Sequence, residues 1–510
     1  MTSTTEEQAP PGEAAGPAPA VRLEAEPSSR ARLYGLLGGI AAFVLLLILP
    51  TPEILTPEAQ RTAAVVALMG IWWMTEAIPL AATSLVPLVL FPVLGVLTPT
   101  AAAAPYSDPV IYLFLGGFVL ALAMQRWELH RRIALAVVSV VGVGPRQLVL
   151  GFMVATAVVS MWVSNTATAA MMLPIGIAIV EVLRPRESGA PYPFATALML
   201  GIAYAATIGG IGTLIGTPPN AVFAAAASEI LGREIGFVDW MLVGVPVAAV
   251  FLPLTWALLV FVLFRPGDLP EGADEVLRRQ RHELGPITRP EALVMGVFTL
   301  TVVGWLVREP KLIGGFRIPG LTDVIPGVHD ATIAIFGALL LFLLPSGRRD
   351  RTRLMDWETA KRLPWGVLLL FGGGLSLARA FETSGLNEAV GEVVTGMVGV
   401  PGWLLLATVA ATFIVLSEFA SNTAIAAMAM PVVAAAAIGL GADPILFMAT
   451  SSLASSAAFM MPVGTPPNTI AFGTGYIRIT QMMWAGIWLN ILSIIIMTLA
   501  GFLLVRPFLS

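Results

Sequence analysis

Ser160 to Pro174 reads SMWVSNTATAAMMLP and Ser417 to Pro431 reads SEFASNTAIAAMAMP; the second copy lies 257 residues after the first and matches it at 9 of 15 positions. Unrelated segments of ordinary composition would share about one. Each copy is followed by a second shared phrase, Gly216-Thr217-Pro218-Pro219-Asn220 and Gly464-Thr465-Pro466-Pro467-Asn468. Both phrases set Ser, Thr, Asn and helix-breaking Pro in apolar surroundings. An interrupted helix that recurs once in each half of a membrane chain points to a central binding site at the bilayer midplane.

The surroundings agree. The chain is 57% hydrophobic and 12% charged, with a mean hydropathy of +0.86, against about 25% charged residues in a soluble domain. Hydrocarbon offers the backbone no hydrogen-bond partners, so such a chain reads as an all-α polytopic membrane protein. A net charge of −4 gives no reason to expect nucleic acid, and the lack of cysteine excludes disulfides and thiolate metal sites. Lys311 and Lys361 are the only lysines among many arginines; with the Ala and Pro richness, this suggests a GC-rich bacterial genome and a plasma membrane. Residues 1–30 are rich in Pro, Ala, Gly and Glu without an apolar run. They read as a disordered tail, not a signal peptide.

Working outward from the signatures, apolar stretches of spanning length occur at 33–49, 62–78, 80–97, 110–124, 148–163, 166–183, 194–231 and 240–264, then at 292–307, 331–344, 363–381, 403–420, 423–438 and 483–505. The polar connection 265–290 divides them into 33–264 and 291–510. Leu115-Gly116-Gly117 precedes the first signature as Phe371-Gly372-Gly373 precedes the second, and Trp240…Gly244 follows as Met482…Gly486 does. Landmarks repeated in one order mean an internal duplication. The glycine clusters read as close helix packing, and Trp72, Trp73, Trp127, Trp240 and Trp484 as interfacial anchors.

Each signature reads as a re-entrant hairpin, over about 147–183 and 402–438, paired with a broken helix over about 194–231 and 443–478. With the N-terminus cytoplasmic, the hairpins place most arginines inside, including Arg126, Arg131, Arg132, Arg146, Arg184 and Arg186 and those of the central connection. The flank of the second hairpin, 382–401, has three Glu and no Lys or Arg. The first hairpin would then open to the cytoplasm and the second outside, with the C-terminus outside. The duplication is therefore expected to be inverted, with eleven transmembrane helices plus the two hairpins and one helix ahead of the first repeat.

A helix that stops in mid-membrane leaves backbone groups unpaired, at several kcal/mol each. Carbonyl, hydroxyl and amide oxygens there are hard ligands for a small cation. The N–H groups and dipole of the following half-helix suit an anion. No Lys, Arg or His lies within Val158–Pro174, Thr207–Val222, Val415–Pro431 or Ser455–Ile470. A multivalent anion bound there needs mobile cations for neutralisation, which implies cation-coupled anion transport.

The paired SNT and TPPN phrases resemble those of the divalent anion–sodium symporter family, which includes di- and tricarboxylate transporters. The likeness runs from about Arg32 to the C-terminus. It implies a homodimer in the lipid bilayer, each protomer with a scaffold and a transport domain that moves like an elevator. It implies one sodium site from Ser160, Ser164, Asn165 and Gly216, and a second from Ser417, Ala420, Asn422 and Gly464. The substrate, a small dicarboxylate such as succinate, malate or fumarate, would lie between Ser164-Asn165-Thr166 and Ser421-Asn422-Thr423, against Thr217-Pro218 and Thr465-Pro466. Sodium is the co-transported ion, and no organic cofactor is implied. The family also contains sodium-independent exchangers, and tricarboxylate or sulfate are alternative substrates.

An enzyme would need a nucleophile and base or metal ligands; the chain has no HExxH, no His in a spanning stretch and no pair of membrane-embedded aspartates. A passive channel fits two broken inverted repeats less well than alternating access. Glu418 adjoins the second signature where the first has Met161. A symmetric site has no need of it, so a structural or gating role is expected. Glu76 reads as interfacial, and Glu181 as a solvated partner of Arg184 and Arg186.

Overall fold

The computed structural model describes residues 29–142, 144–183, 192–267, 273–313, 316–347, 352–397 and 399–510. The tail expected over 1–30 lies outside them except for its last two residues, which open the helix Ser29–Ile48. Arg184 and Arg186, the expected partners of Glu181, also lie outside. The described chain is almost entirely helical, and one short strand pair joins Lys311–Ile313 to Phe316–Ile318.

Among the described residues, 8 helices could cross a membrane by length and composition, and shorter apolar helices of 10–17 residues accompany them. The short ones include Pro145–Ser160, Gly402–Ser417 and Pro444–Ser455. The last has 12 residues, about 18 Å of helix against roughly 30 Å of hydrocarbon. It stops part-way. Helices start where the chain supplies an acceptor for an orphan N–H and a proline that needs none. Thr56 accepts from Ala59 N before Pro57, Asp108 from Val110 N before Pro109, and Asp443 from Ile445 N before Pro444.

Small residues let backbones touch at the crossings that matter. A Cβ on Gly209 would meet the Ala157 carbonyl at 2.3 Å, which fixes the first signature helix against Pro193–Gly210. A Cβ on Gly116 would meet the Ala334 backbone at 2.6 Å and one on Gly373 the Ser84 carbonyl at 2.7 Å, so both glycine clusters serve close packing. Pro193–Gly210 is the most enclosed spanning helix, 94% of its window being buried, whereas Arg30–Ile48 is 11% buried and rests mainly on Pro57–Thr75.

The two halves interlock. Asn165–Val182 packs on Pro193–Gly210 of its own half and on Pro466–Gly473 of the other. Asn422–Gly439 packs on Pro444–Ser455 and, across the halves, on Pro218–Leu231. Asn165–Val182 and Asn422–Gly439, which begin at the two SNT phrases, thus each touch elements of both halves.

Among the described residues, three helices of nine residues or more lie where the sequence reads as polar connection or loop. Leu129–Val141 follows Pro109–Arg126 through Glu128, and Leu386–Val394 follows Trp365–Ser384 through Gly385. Both corner residues are left-handed, at φ 55° and 76°. Ala273–Leu284 lies inside the central connection. Arg126, Arg131 and Arg132 hide the first of these helices from a hydropathy reading, yet they hold it down. Arg126 pairs with Asp356 at 2.5 Å and Arg132 with Glu291 at 3.1 Å, and Arg131 donates to Gln280 at 2.6 Å.

Candidate functional site

The first broken helix stops at Gly210 and restarts at Pro218. Between them the chain keeps short helical turns, Gly212 N donating to Gly209 O at 2.9 Å. The carbonyls released by the break are gathered by one buried amide: Asn220 Nδ2 donates to Gly210 O at 3.1 Å and Thr213 O at 2.7 Å. Trp240 Nε1 donates to Ile211 O at 2.9 Å, and Thr213 Oγ1 donates to Met161 O at the hairpin tip. The break is therefore a rigid knot of paired backbone.

The second broken helix stops at Ser455 and restarts at Pro466, a longer interruption. Its amide clamp is the same: Asn468 Nδ2 donates to Ala458 O and Met461 O, each at 3.1 Å, the positions that correspond to Gly210 and Thr213. Gly244 packs on the Ile211 and Gly212 carbonyls, and Gly486 on Phe459 and Met460 in the same way. Both restarts place an extended threonine before the prolines, Thr217 at φ −142° and ψ 141° and Thr465 at φ −144° and ψ 148°. Neither threonine caps its half-helix with its side chain, and the two prolines that open each half-helix carry no N–H, so what each restart offers an anion is the helix dipole and the threonine itself.

Of the first set of expected cation ligands, the fold brings Ser160, Asn165 and Gly216 together. Ser160 Oγ lies 2.7 Å from both Asn165 Oδ1 and Ala206 O. With Oδ1 facing the hydroxyl, one proton stands among three oxygens, a donor set poor in hydrogen and suited to a cation. The Asn165 amide lies against Gly210, whose carbonyl abuts Gly216. Ser164 stands apart as the exposed N-cap of Asn165–Val182, accepting from Ala167 N at 3.4 Å. Thr166 is half-buried on the same turn, and Thr217 and Pro218 open the half-helix Pro218–Leu231.

In the second set, Ser417 is fully buried and Gly464 lies within van der Waals reach of Ala458 and of Glu418 Oε2. Ala420, Ser421, Asn422 and Thr423 are half-buried at the tip, and Ser421 makes no side-chain cap. Thr465 and Pro466 open the second restart, whose half-helix Pro466–Gly473 packs on Asn165–Val182 of the first half. Ser417 Oγ, Asn422 Oδ1, Ser456 Oγ and Thr465 Oγ1 have no hydrogen-bond partner among the described residues.

Several site residues went unassigned in the sequence reading. Asn220 and Asn468 were visible inside the repeated TPPN phrase, and repetition was the signal available for them. Trp240 was misread. It is fully buried and closes the first break, and Trp73 and Trp127 are buried donors too, to Leu80 O and Leu354 O. An indole beside a helix end is also the natural donor for a carbonyl that a break leaves free. Trp484 remains exposed at 56%. Glu76 is the left-handed C-cap of Pro57–Thr75.

These geometries sit on a known framework. The pattern described as the sodium:sulfate symporter transmembrane region matches residues 30–509. The chain belongs to that family. A sodium-dependent dicarboxylate transporter, SdcS of Staphylococcus saprophyticus, is 42% identical over 487 residues, 94% of this chain and 92% of the relative. Its counterpart in Staphylococcus aureus is 42% identical over 482 residues, covering 93% and 91%. Among solved structures, the Alcanivorax borkumensis YdaH transporter aligns with a TM-score of 0.56 at 15% identity over 93% of this chain and 99% of its own. MtrF of Neisseria gonorrhoeae, from a class of antimetabolite efflux pumps, aligns at 0.56 and 14% over 94% and 97%. At those identities the two structures bear on the fold alone: a polytopic helical transporter fold.

Proposed function

We propose that this protein is a secondary carrier of the plasma membrane that moves small dicarboxylates, of the succinate, malate or fumarate type, into the cell together with sodium. The observation that carries the reading is the pair of breaks, each tied by an asparagine to corresponding carbonyls, set in segments without a single Lys, Arg or His. Such a site cannot neutralise a dianion by itself. Sodium at Ser160, Ser164, Asn165 and Gly216, and at Ser417, Ala420, Asn422 and Gly464, would supply the charge. The substrate carboxylates would then meet the hydroxyls and N–H groups of Ser164-Asn165-Thr166 and Ser421-Asn422-Thr423, with Thr217-Pro218 and Thr465-Pro466 behind. The relatives named as dicarboxylate transporters support this substrate class over sulfate or a tricarboxylate; family membership by itself favours none of the three. No step is enzymatic.

The finer architecture belongs to the same proposal. One extra helix and the first inverted repeat in 33–264, and the second repeat in 291–510, give eleven spans and two hairpins, with the N-terminus cytoplasmic and the C-terminus outside. Scaffold and transport domains in a homodimer permit elevator-type alternating access. Uptake of radiolabelled succinate into proteoliposomes tests the core of it: accumulation with sodium outside, none with potassium or choline. Equal uptake in choline would overturn sodium coupling. Counterflow without sodium, together with no net uptake, would instead establish the sodium-independent exchanger.

A further inference from the structure

The second break holds a charge that the first does not. The Glu418 side chain is 2% exposed, and its carboxylate collects four donors. Oε1 accepts from Phe459 N at 2.8 Å, Met460 N at 2.9 Å and Asn490 Nδ2 at 2.8 Å; Oε2 accepts from Met461 N at 2.9 Å. Three successive backbone N–H groups form an anion-holding nest, and a side chain of the chain itself fills it. No Lys, Arg or His pairs with this carboxylate among the described residues. In the first break the equivalent position is Met161, and the Gly212 N–H is spent inside the helical turn. Oε2 comes within 3.1 Å of a Cβ built on Gly464, and Ser417, its neighbour in sequence, has a buried hydroxyl without a partner.

We infer that Glu418 makes the two cation sites unequal: its fixed negative charge strengthens the second site, so that sodium occupies it before the first. Resting on the sodium-coupled reading above, this makes Glu418 a positioning residue that acts through the field it adds and the loop it holds, without touching the dicarboxylate. A unit charge about 6 Å from a cation changes affinity by about a hundredfold at an effective dielectric near 20, and by about tenfold when donors offset half of it.

In proteoliposomes, Glu418→Gln is expected to raise the half-saturating sodium concentration for succinate uptake about tenfold. KM for succinate at saturating sodium should stay within about threefold, and Glu418→Asp, which keeps the charge, should recover most of the sodium affinity. Half-saturating sodium within about twofold of wild type in a folded Gln variant overturns the inference, since a purely structural role would lower the rate without moving that value. Should Glu418→Gln not fold, sodium-induced thermal stabilisation without succinate decides. Ser417→Ala is expected to abolish it and Ser160→Ala to leave it largely in place; equal effects of the two contradict the inequality. A wild-type protein that takes up succinate equally in choline would refute sodium coupling itself, a separate outcome from any of these.

Discussion

The two broken helices answer one physical problem in two ways. In the first, the interruption is short, its backbone stays turned in on itself, and Trp240, Thr213 and Asn220 tie the released carbonyls with neutral donors. In the second, the chain opens further, three N–H groups are left pointing one way, and the Glu418 carboxylate receives them. Both keep the asparagine clamp and the threonine–proline restart. Duplication thus preserves the clamp and the restart while the charge beside them diverges. A carrier built from two equivalent halves can acquire an order of ion binding in this way without changing either set of cation ligands.

The largest effect is expected at the paired tips. Asn165→Ala and Asn422→Ala should each abolish sodium-driven succinate uptake while the proteins remain folded by circular dichroism; wild-type transport in both would remove the site assignment.

Next come the clamps. Asn220→Ala and Asn468→Ala leave buried carbonyls unpaired, at a cost of about 2–4 kcal/mol each. Thermal unfolding in detergent should show a loss in both. A variant that unfolds at the wild-type temperature would mean that its clamp does not hold the break. Trp240→Phe keeps the ring and removes the N–H to Ile211 O, so a loss of about 1–2 kcal/mol is expected in the same assay; in the second break the corresponding Phe459 carbonyl is held by the Tyr204 hydroxyl at 3.1 Å instead.

The smallest effect separates the corners. Glu128 and Gly385 occupy corresponding left-handed turns, a conformation that costs a residue with a Cβ roughly 1 kcal/mol. Glu128→Gly should therefore stabilise by up to about 1 kcal/mol, and Gly385→Ala should destabilise by a similar amount. The same sign for both would mean that the two corners are not conformationally equivalent.

What the sequence made legible follows from range. Repetition of SNT and TPPN is local in the chain, so the signatures and the interrupted helices could be read directly, and the twin glycines identified close crossings. The amide clamps were readable in principle, because Asn220 and Asn468 recur in the phrase, but their acceptors lie 7 to 10 residues back. The Glu418 nest was beyond reach, since its backbone donors lie 41 to 43 residues away and are defined by chain conformation, not residue type. Leu129–Val141 was missed because arginines at its start break the apolar run, although those side chains turn outward to Glu291 and Gln280. Trp240 was misread because a buried indole and an interfacial one have the same sequence surroundings.

A cryo-electron microscopy map of the protein in nanodiscs with sodium and succinate tests the central claim most directly. Two cation densities are expected, one against Ser160, Asn165 and Gly216 and one against Ser417, Asn422 and Gly464, with succinate between Ser164–Thr166 and Ser421–Thr423. Substrate density on another face of the protein, or a bound dianion without either cation, would contradict it.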